Sequence, residues 1–348
     1  MAEKNLDFDT VIDRTHTNSL KYDFAVQRGK PKDVLPLWVA DMDFQVSSYI
    51  QEALSGNVAH GIFGYSEAEG SYFEAVAGWM SRHYGWNVEE TWLVKTPGIV
   101  FALAQAVRAF TDPGDAVLLQ QPVYYPFSQV IRDNGRKIVD NTLVQGEDGR
   151  YRIDFTDFEE KIRSAHVKLF FLCNPHNPVG RVWTKEELLR LGDICERYGV
   201  IVVSDEIHAD FVFEGSHQVL AGLKESYRKF VVTCTAPSKT FNLAGLQVSN
   251  IFIPDDALRR KFEQAVGASG YSQLNTMGLV ACEAAYRYGE EWYDAVKAYI
   301  RENLTYAQHF LEEQIPQVKA VKPEGTYLLW VDFRSLGLSR KELEELIV

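Results

Sequence analysis

The sequence is short of cysteine, metal-binding spacing, long apolar runs and positive charge, and each shortage removes a class of function. Its four cysteines, Cys173, Cys195, Cys234 and Cys282, form no CxxC pair, and two of them close apolar runs of the kind that become buried strands. They are expected to be reduced core thiols, neither disulfides nor ligands. The eight histidines are scattered without HExxH or any paired spacing, so no metal is expected. No stretch approaches the ~18 consecutive apolar residues of a spanning helix. The opening, Met1 to Asn5, has no apolar signal core, so no membrane partner is expected and the cytoplasm is the expected location. Lys and Arg total 36 against 48 Asp and Glu, and a net charge of -12 would repel a nucleic-acid backbone. No nucleic-acid partner is expected. Repeats, low-complexity runs and flexible linkers are also missing.

What remains is a globular composition. The chain has 348 residues, 46% of them hydrophobic, enough for one large domain and a smaller one. From about residue 90 to 290, short apolar runs alternate with amphipathic stretches, which predicts an α/β fold: a mostly parallel mixed sheet between helices. The expected strands are Ala116 to Leu119, Val167 to Leu172, Val200 to Val203, Phe230 to Thr233 and Gln247 to Ile253. Several are continuously apolar, as strands covered on both faces must be. Thr184-Lys185-Glu186-Glu187 reads as a capping box, Leu188, Leu191, Ile194 and Cys195 as the buried stripe of the helix it opens, and Gly199 as its stop. Residues 1–50 are irregular, and the region after about 290 returns to a helix and then a strand over Gly325 to Val331. The two ends are expected to share a small α+β domain (1–50 with 291–348) beside a large domain over 51–290. Ser339-Arg340-Lys341-Glu342 opens a helical pattern that stops at Val348 without a cap, so the chain is expected to lack its natural C-terminus.

In an open parallel sheet, ligands bind beyond the carboxyl ends of the strands. Here those ends carry Gln120 to Pro126 with Tyr124-Tyr125, Cys173 to Gly180 with Asn177, Ser204 to His208 with Asp205, and Thr235 to Asn242 with Lys239. An aromatic pair, an amide, a carboxylate and a lysine thus share one ring of strand ends. Each group is common alone; together they match the needs of a pyridine aldehyde cofactor. A lysine of lowered pKa can form the imine. A carboxylate can keep the pyridine nitrogen protonated, which makes the ring an electron sink for an amino acid's α-carbon. An aromatic face can stack on the ring and an amide can donate to its phenolic oxygen. Thr96-Pro97-Gly98-Ile99-Val100, at the entry of a helix running to about Phe110, offers peptide N–H groups to a phosphate.

The run from Thr96 to Asn242 resembles the class I/II aminotransferase family of pyridoxal 5'-phosphate (PLP) enzymes, fold type I. More narrowly, the chain is similar to the MalY/PatB group of cystathionine β-lyases and cysteine-S-conjugate β-lyases. The narrower likeness rests on Trp38 to Phe44, Phe63-Gly64-Tyr65, Asn174 to Gly180, Asp205 to His208 and Pro237 to Asn242. The resemblance implies that Lys239 is the Schiff-base lysine and general base, Asp205 the partner of the pyridine nitrogen, Asn177 the amide at the phenolic oxygen and Tyr124 the stacking aromatic. His208 falls where many aminotransferases place a tyrosine near that oxygen. Gly98, Ile99 and Val100 match the phosphate cradle, with Ser238 adding a hydroxyl. Tyr65 matches a tyrosine that reaches the phosphate of the neighbouring subunit, which implies a homodimer with shared active sites.

The implied activity is β-elimination from L-cystathionine or a related cysteine S-conjugate, giving a thiol, pyruvate and ammonia. An aminotransferase uses the same residues, and a PLP-loaded regulatory or binding protein is the reading from another class. Two departures stand out. The family's arginine that grips the substrate carboxylate is not found before Val348, and an arginine that many aminotransferases place eight residues after the lysine is here Gln247. A lost charge-assisted phosphate contact is worth about 1–3 kcal/mol. Gln247→Arg is therefore expected to be tolerated and to tighten PLP binding; a titration giving equal or weaker affinity would contradict this.

Overall fold

The computed structural model describes residues 3–348, so Met1 and Ala2 of the leader reading lie outside the described residues. Eleven strands occur in chain order: β1 (Leu93–Thr96), β2 (Ala116–Leu119), β3 (Lys137–Asp140), β4 (Val144–Gln145), β5 (Tyr151–Arg152), β6 (Leu169–Cys173), β7 (Ile201–Asp205), β8 (Val231–Thr235), β9 (Ser249–Phe252), β10 (Lys319–Ala320) and β11 (Val331–Asp332). Seven of them form one sheet in the order β1-β9-β8-β7-β6-β2-β3. The five from β3 to β8 run parallel, while β9 and β1 are antiparallel to their neighbours. All five strands expected from the apolar runs are present, shifted by at most two residues at either end.

The sheet's two faces each bury a core. Along β6, Phe170 and Leu172 point into one cluster, with Phe158, Trp183 and Leu188, while Leu169, Phe171 and Cys173 point into the other, with Ala102, Leu103 and Phe127. Both faces are dry, so the strand is apolar at every position. The expected helix is Lys185–Tyr198, with the Thr184 capping box formed and Gly199 in the left-handed conformation at its end. All four cysteines are buried and free. Among the described residues no helix is long and apolar enough to cross a membrane.

The register places the strand ends side by side. Cys173 of β6 pairs with Asp205 of β7, and Asp205 pairs with Cys234 of β8. The two chain ends also meet: Phe8 packs on Phe44, Trp292 and Tyr299, and the Trp292 indole donates to Gln45 O at 3.0 Å. One expectation fails. The run from Gly325 to Val331 is a strand only at its last residue, which enters β11 with Asp332 and pairs with β10. Thr326 adopts φ 65, and its buried backbone N–H is spent on Phe211 O at 2.7 Å. The segment is instead an irregular strap that seats Tyr327 against the end of the sheet, where Phe211 and His208 meet its ring.

Packing behind β6 and β7 yields a test in which two effects oppose each other. A Cβ at Gly192 would lie 2.4 Å from the Tyr227 ring, and that ring is fixed by its hydroxyl's bonds to Leu189 O (2.9 Å) and Asp193 (2.6 Å). Gly192→Ala gains about 1 kcal/mol of helix propensity. Overpacking of a rigid site costs about 1–3 kcal/mol. A net loss of stability is expected in chemical denaturation, and a stabilised variant would mean that the ring moves freely.

Candidate active site

The site begins with a lysine that the fold draws partly out of water. β8 ends at Thr235, and Pro237 opens a single helical turn, Pro237–Thr240, that carries Lys239 on the sheet's carboxyl edge. Burial lowers the Lys239 pKa below its ordinary value, while Asp41 and then Asp205 pull the other way. Its Nζ donates to Ala40 O at 2.6 Å, and the Tyr327 hydroxyl donates to the same carbonyl at 2.9 Å.

Asp205 closes β7 in the neighbouring position. Three carboxylates follow one another here, all buried: Asp205, Glu206 and Asp210. Glu206 accepts from the Ser204 hydroxyl at 2.8 Å and Leu220 N at 3.3 Å, and its Oε2 lies 2.8 Å from His217 Nε2. Asp210 accepts from Trp79 Nε1 at 3.0 Å and from the hydroxyls of Tyr84 and Thr240. Among the described residues the Asp205 carboxylate has one donor, the Ile207 backbone N–H at 3.1 Å. Burial therefore dominates, and with Glu206 it pushes the Asp205 carboxyl up to about 7 against the opposing pull of Ile207 N–H and Lys239.

His208, one turn beyond Asp205, is also buried, and burial followed by the nearby Lys239 pushes its imidazole down to about 3. It is neutral at any physiological pH. Its Nε2 lies 3.4 Å from the Asn177 side-chain nitrogen, and its Nδ1 is buried with no hydrogen-bond partner among the described residues. Asn177 ties two strand ends together, because its carbonyl accepts from Tyr124 N at 3.0 Å. The Tyr124 ring is partly exposed and tilted against Tyr125.

The segment expected to form a phosphate cradle follows β1. Gly98 is the N-cap of the Ile99–Phe110 helix at φ 136, a conformation that favours glycine, and no side chain caps the helix there. The first-turn N–H groups of Ile99 and Val100 thus face outward at the positive end of the helix dipole, with open space within 4 Å of where a Gly98 Cβ would be. Ser238 lies half-buried beside Lys239. Tyr65 is not brought in: it is fully exposed on the connection between the Ser48–His60 and Gly70–Tyr84 helices and makes no hydrogen bond to another described residue.

Three contributors had no sequence role assigned to them. Ala40 acts through its carbonyl, which no residue type advertises. Tyr327 lies in the segment read as a strand. Asp210 looks like any polar turn residue until the Trp79, Tyr84 and Thr240 donors converge on it.

The family model described as Aminotransferase class I and II matches residues 32–348. The chain is 46% identical over 341 residues to cystathionine beta-lyase PatB of Bacillus subtilis, covering 98% of this chain and 88% of that protein. It is 32% identical over 345 residues to protein MalY of Escherichia coli, covering 98% and 87%. Among solved structures, cystalysin from Treponema denticola, which contains pyridoxal 5'-phosphate, superposes with a TM-score of 0.93 at 37% identity over 97% of this chain and 86% of its own. The PLP-bound C-S lyase of Staphylococcus hominis gives 0.89 at 34%, covering 96% and 85%. With its fold-type I sheet, its strand-end lysine and carboxylate, and these likenesses, the chain belongs to the aminotransferase class I and II family.

Proposed function

We propose that the protein is a PLP-dependent carbon–sulfur β-lyase that cleaves L-cystathionine or a related cysteine S-conjugate to a thiol, pyruvate and ammonia. The observation that carries this reading is the contrast among the three carboxylates. Glu206 and Asp210 are saturated by protein donors, whereas Asp205, equally buried, has one backbone donor and a carboxyl raised to about 7. Such a group is poised for a cation, and a protonated pyridine nitrogen is one. The relatives named as cystathionine β-lyases and C-S lyases support the choice of reaction.

The residues fit the cofactor. Lys239 would hold its aldehyde, Asp205 its ring nitrogen, Asn177 and His208 its phenolic oxygen, and Tyr124 its ring face, with Gly98, Ile99, Val100 and Ser238 at the phosphate. The orphaned Nδ1 of His208 and the uncapped helix start at Gly98 are both polar features in want of a partner. When bound, PLP supplies an electron sink for negative charge at the amino acid's α-carbon. The chain supplies the base. Lys239 Nζ, its pKa lowered by burial, takes the α-proton, and the Ala40 carbonyl that accepts its hydrogen bond keeps the amine oriented. Neutral His208 and uncharged Asn177 add no competing cation near Lys239.

The reading includes a cytoplasmic homodimer with shared sites. Leu35, Leu37, Ile62 and Phe63 are large apolar side chains exposed in the same two segments that hold Trp38 and Tyr65, and a second subunit would cover them and place Tyr65 at the partner's phosphate.

The loaded protein, given L-cystathionine and no keto acid, is expected to release pyruvate and homocysteine at equal rates. Accumulation of the pyridoxamine form instead would make it a transaminase. Lys239→Ala is expected to lower turnover by about 10³-fold or more and to abolish borohydride trapping of the cofactor. A trapped adduct on another lysine would end the assignment.

Asp205→Asn separates function from stability. Below the unfolded carboxyl pKa of ~3.9, both states are protonated and burial costs nothing. Between there and about 7 the unfolded chain ionises first, so the cofactor-free fold loses stability as pH rises, on the order of 4 kcal/mol in the limit. The variant is therefore expected to melt higher than wild type at pH 8 without cofactor, yet to be inactive with it. Equal melting at pH 8 would mean that Asp205 is already paired.

A further inference from the structure

The N-terminal segment carries a charge cluster that the reaction chemistry leaves unused. Arg14 forks onto Asp41 with two bonds of 3.1 Å, and its Nη1 also reaches Asp43 at 2.7 Å and Met42 O at 3.2 Å. Lys21, whose side chain is only 7% exposed, donates to Asp41 O at 3.0 Å and lies 3.4 Å from both the Asp41 and Asp43 carboxylates. Two cations thus close on two anions spaced two residues apart. Exposed ion pairs contribute little, but this cluster is mostly shielded and bidentate, the geometry in which such pairs hold shape.

What it holds is a tight turn. Asp41 N donates to Val39 O at 2.8 Å, and Val39 sits at φ 61, a strained value for a β-branched residue. The turn projects the Ala40 carbonyl outward, onto Lys239 Nζ and the Tyr327 hydroxyl. From the other side, Asn242, three residues after Lys239, brackets the same loop: its Oδ1 accepts from Met42 N at 3.0 Å and its Nδ2 donates to Met42 O at 2.9 Å. The loop is therefore pinned between the N-terminal segment and the Lys239 turn.

We propose that Arg14 and Lys21 are positioning residues of the active site, which act through Asp41 and Asp43 to hold the Ala40 carbonyl on the Lys239 amine. The proposal rests on the reading of Lys239 as the reactive amine. The charged and titratable groups facing that amine are Asp41 from the loop, Asp205 from β7, His208 from the following turn and Tyr327 from the C-terminal strap. Burial works to raise the Asp41 carboxyl, and Arg14 and then Lys21 overcome it and keep it ionised. Asp41 is in turn an anion that favours the protonated form of Lys239. The clamp therefore sets both the place of the amine and its readiness to accept a proton.

A structural strap and a positioning clamp give different results. Loosening alone would hydrate Lys239 and shift its titration upward whichever partner is removed. For the clamp, the two sides have opposite signs: Arg14→Gln leaves Asp41 unopposed and raises the Lys239 midpoint, whereas Asp41→Asn lowers it. Each shift is expected to be about half a pH unit, about threefold in free amine at fixed pH. The measurement is the pH dependence of acetic-anhydride labelling of Lys239 in the full-length protein stripped of cofactor, read by peptide mass. The absorbance midpoint of the loaded protein is expected to move in the same two directions, with kcat falling about tenfold and KM changing less than threefold. Arg14→Lys, which keeps the cation, is expected to restore the labelling midpoint. If Arg14→Gln does not fold, Lys21→Met removes the second cation and carries the same sign. Shifts of one sign in both variants, or none, overturn the proposal. The labelling needs no cofactor, so its result is independent of whether the wild type turns over cystathionine, which tests the underlying reading.

Discussion

Burial of Lys239 and Asp205 at adjoining strand ends is the constraint on which the site depends. A dry environment disfavours both charged forms at once, lifting the carboxyl to about 7 and lowering the amine. In most folds such a pair would be removed or saturated, because an incompletely satisfied buried carboxylate costs several kcal/mol. Here the β6–β7–β8 register places the carboxylate between two buried cysteines, Cys173 and Cys234, which supply volume but no charge. Both thiols are themselves pushed up by burial, so they neither compete as nucleophiles nor neutralise their neighbour. The fold thus leaves Asp205 incompletely satisfied and spends its donors elsewhere.

Asp210 shows where they are spent. Its carboxylate collects Trp79, Tyr84 and Thr240, and its carbonyl accepts from the Tyr293 hydroxyl at 2.7 Å. That one residue ties the turn after β7, the Lys239 turn, the Gly70–Tyr84 helix and the Glu290–Gln314 helix into a rigid back wall. A saturated carboxylate five residues from an unsaturated one braces the frame that carries the latter. Precise geometry at Lys239 is then a property of the packed frame, as catalysis by oriented groups requires.

Legibility in the sequence followed the physics that each feature obeys. The sheet was readable because strands covered on both faces are largely apolar: β2 and β6 are so at every position, and β7 and β8 open on apolar runs, whereas β9 carries Ser249 and Asn250 among its apolar residues. Lys239, Asp205, Asn177 and Tyr124 stood out because they follow directly on those runs, at the carboxyl ends of the strands where an open parallel sheet can take a ligand. Tyr327 was hidden by its own neighbours: Gly325 to Val331 has the composition of a strand, and only the tertiary bond from Thr326 N to Phe211 O turns it into a strap. Ala40 was hidden for a different reason, since a carbonyl has no side-chain signature and its contact with Lys239 spans 199 residues. Tyr65 is fully exposed, so no packing within the single chain places it at the site.

Such long-range contacts change how the first fifty residues are to be understood. Irregular segments rich in charge ordinarily decorate a surface and tolerate substitution. This one threads Arg14 and a buried Lys21 onto the turn that meets the Lys239 amine, while Asn242 grips that turn from the Lys239 side. Sheet, turn and arm therefore form one closed circuit around Lys239: the sheet sets its height, the arm sets its neighbour, and Asn242 links the two. The arm is thus joined to the amine through the Arg14–Asp41 pair and the Ala40 carbonyl. The surroundings of this lysine are accordingly built as much by residues 14–43 as by the turn that carries it.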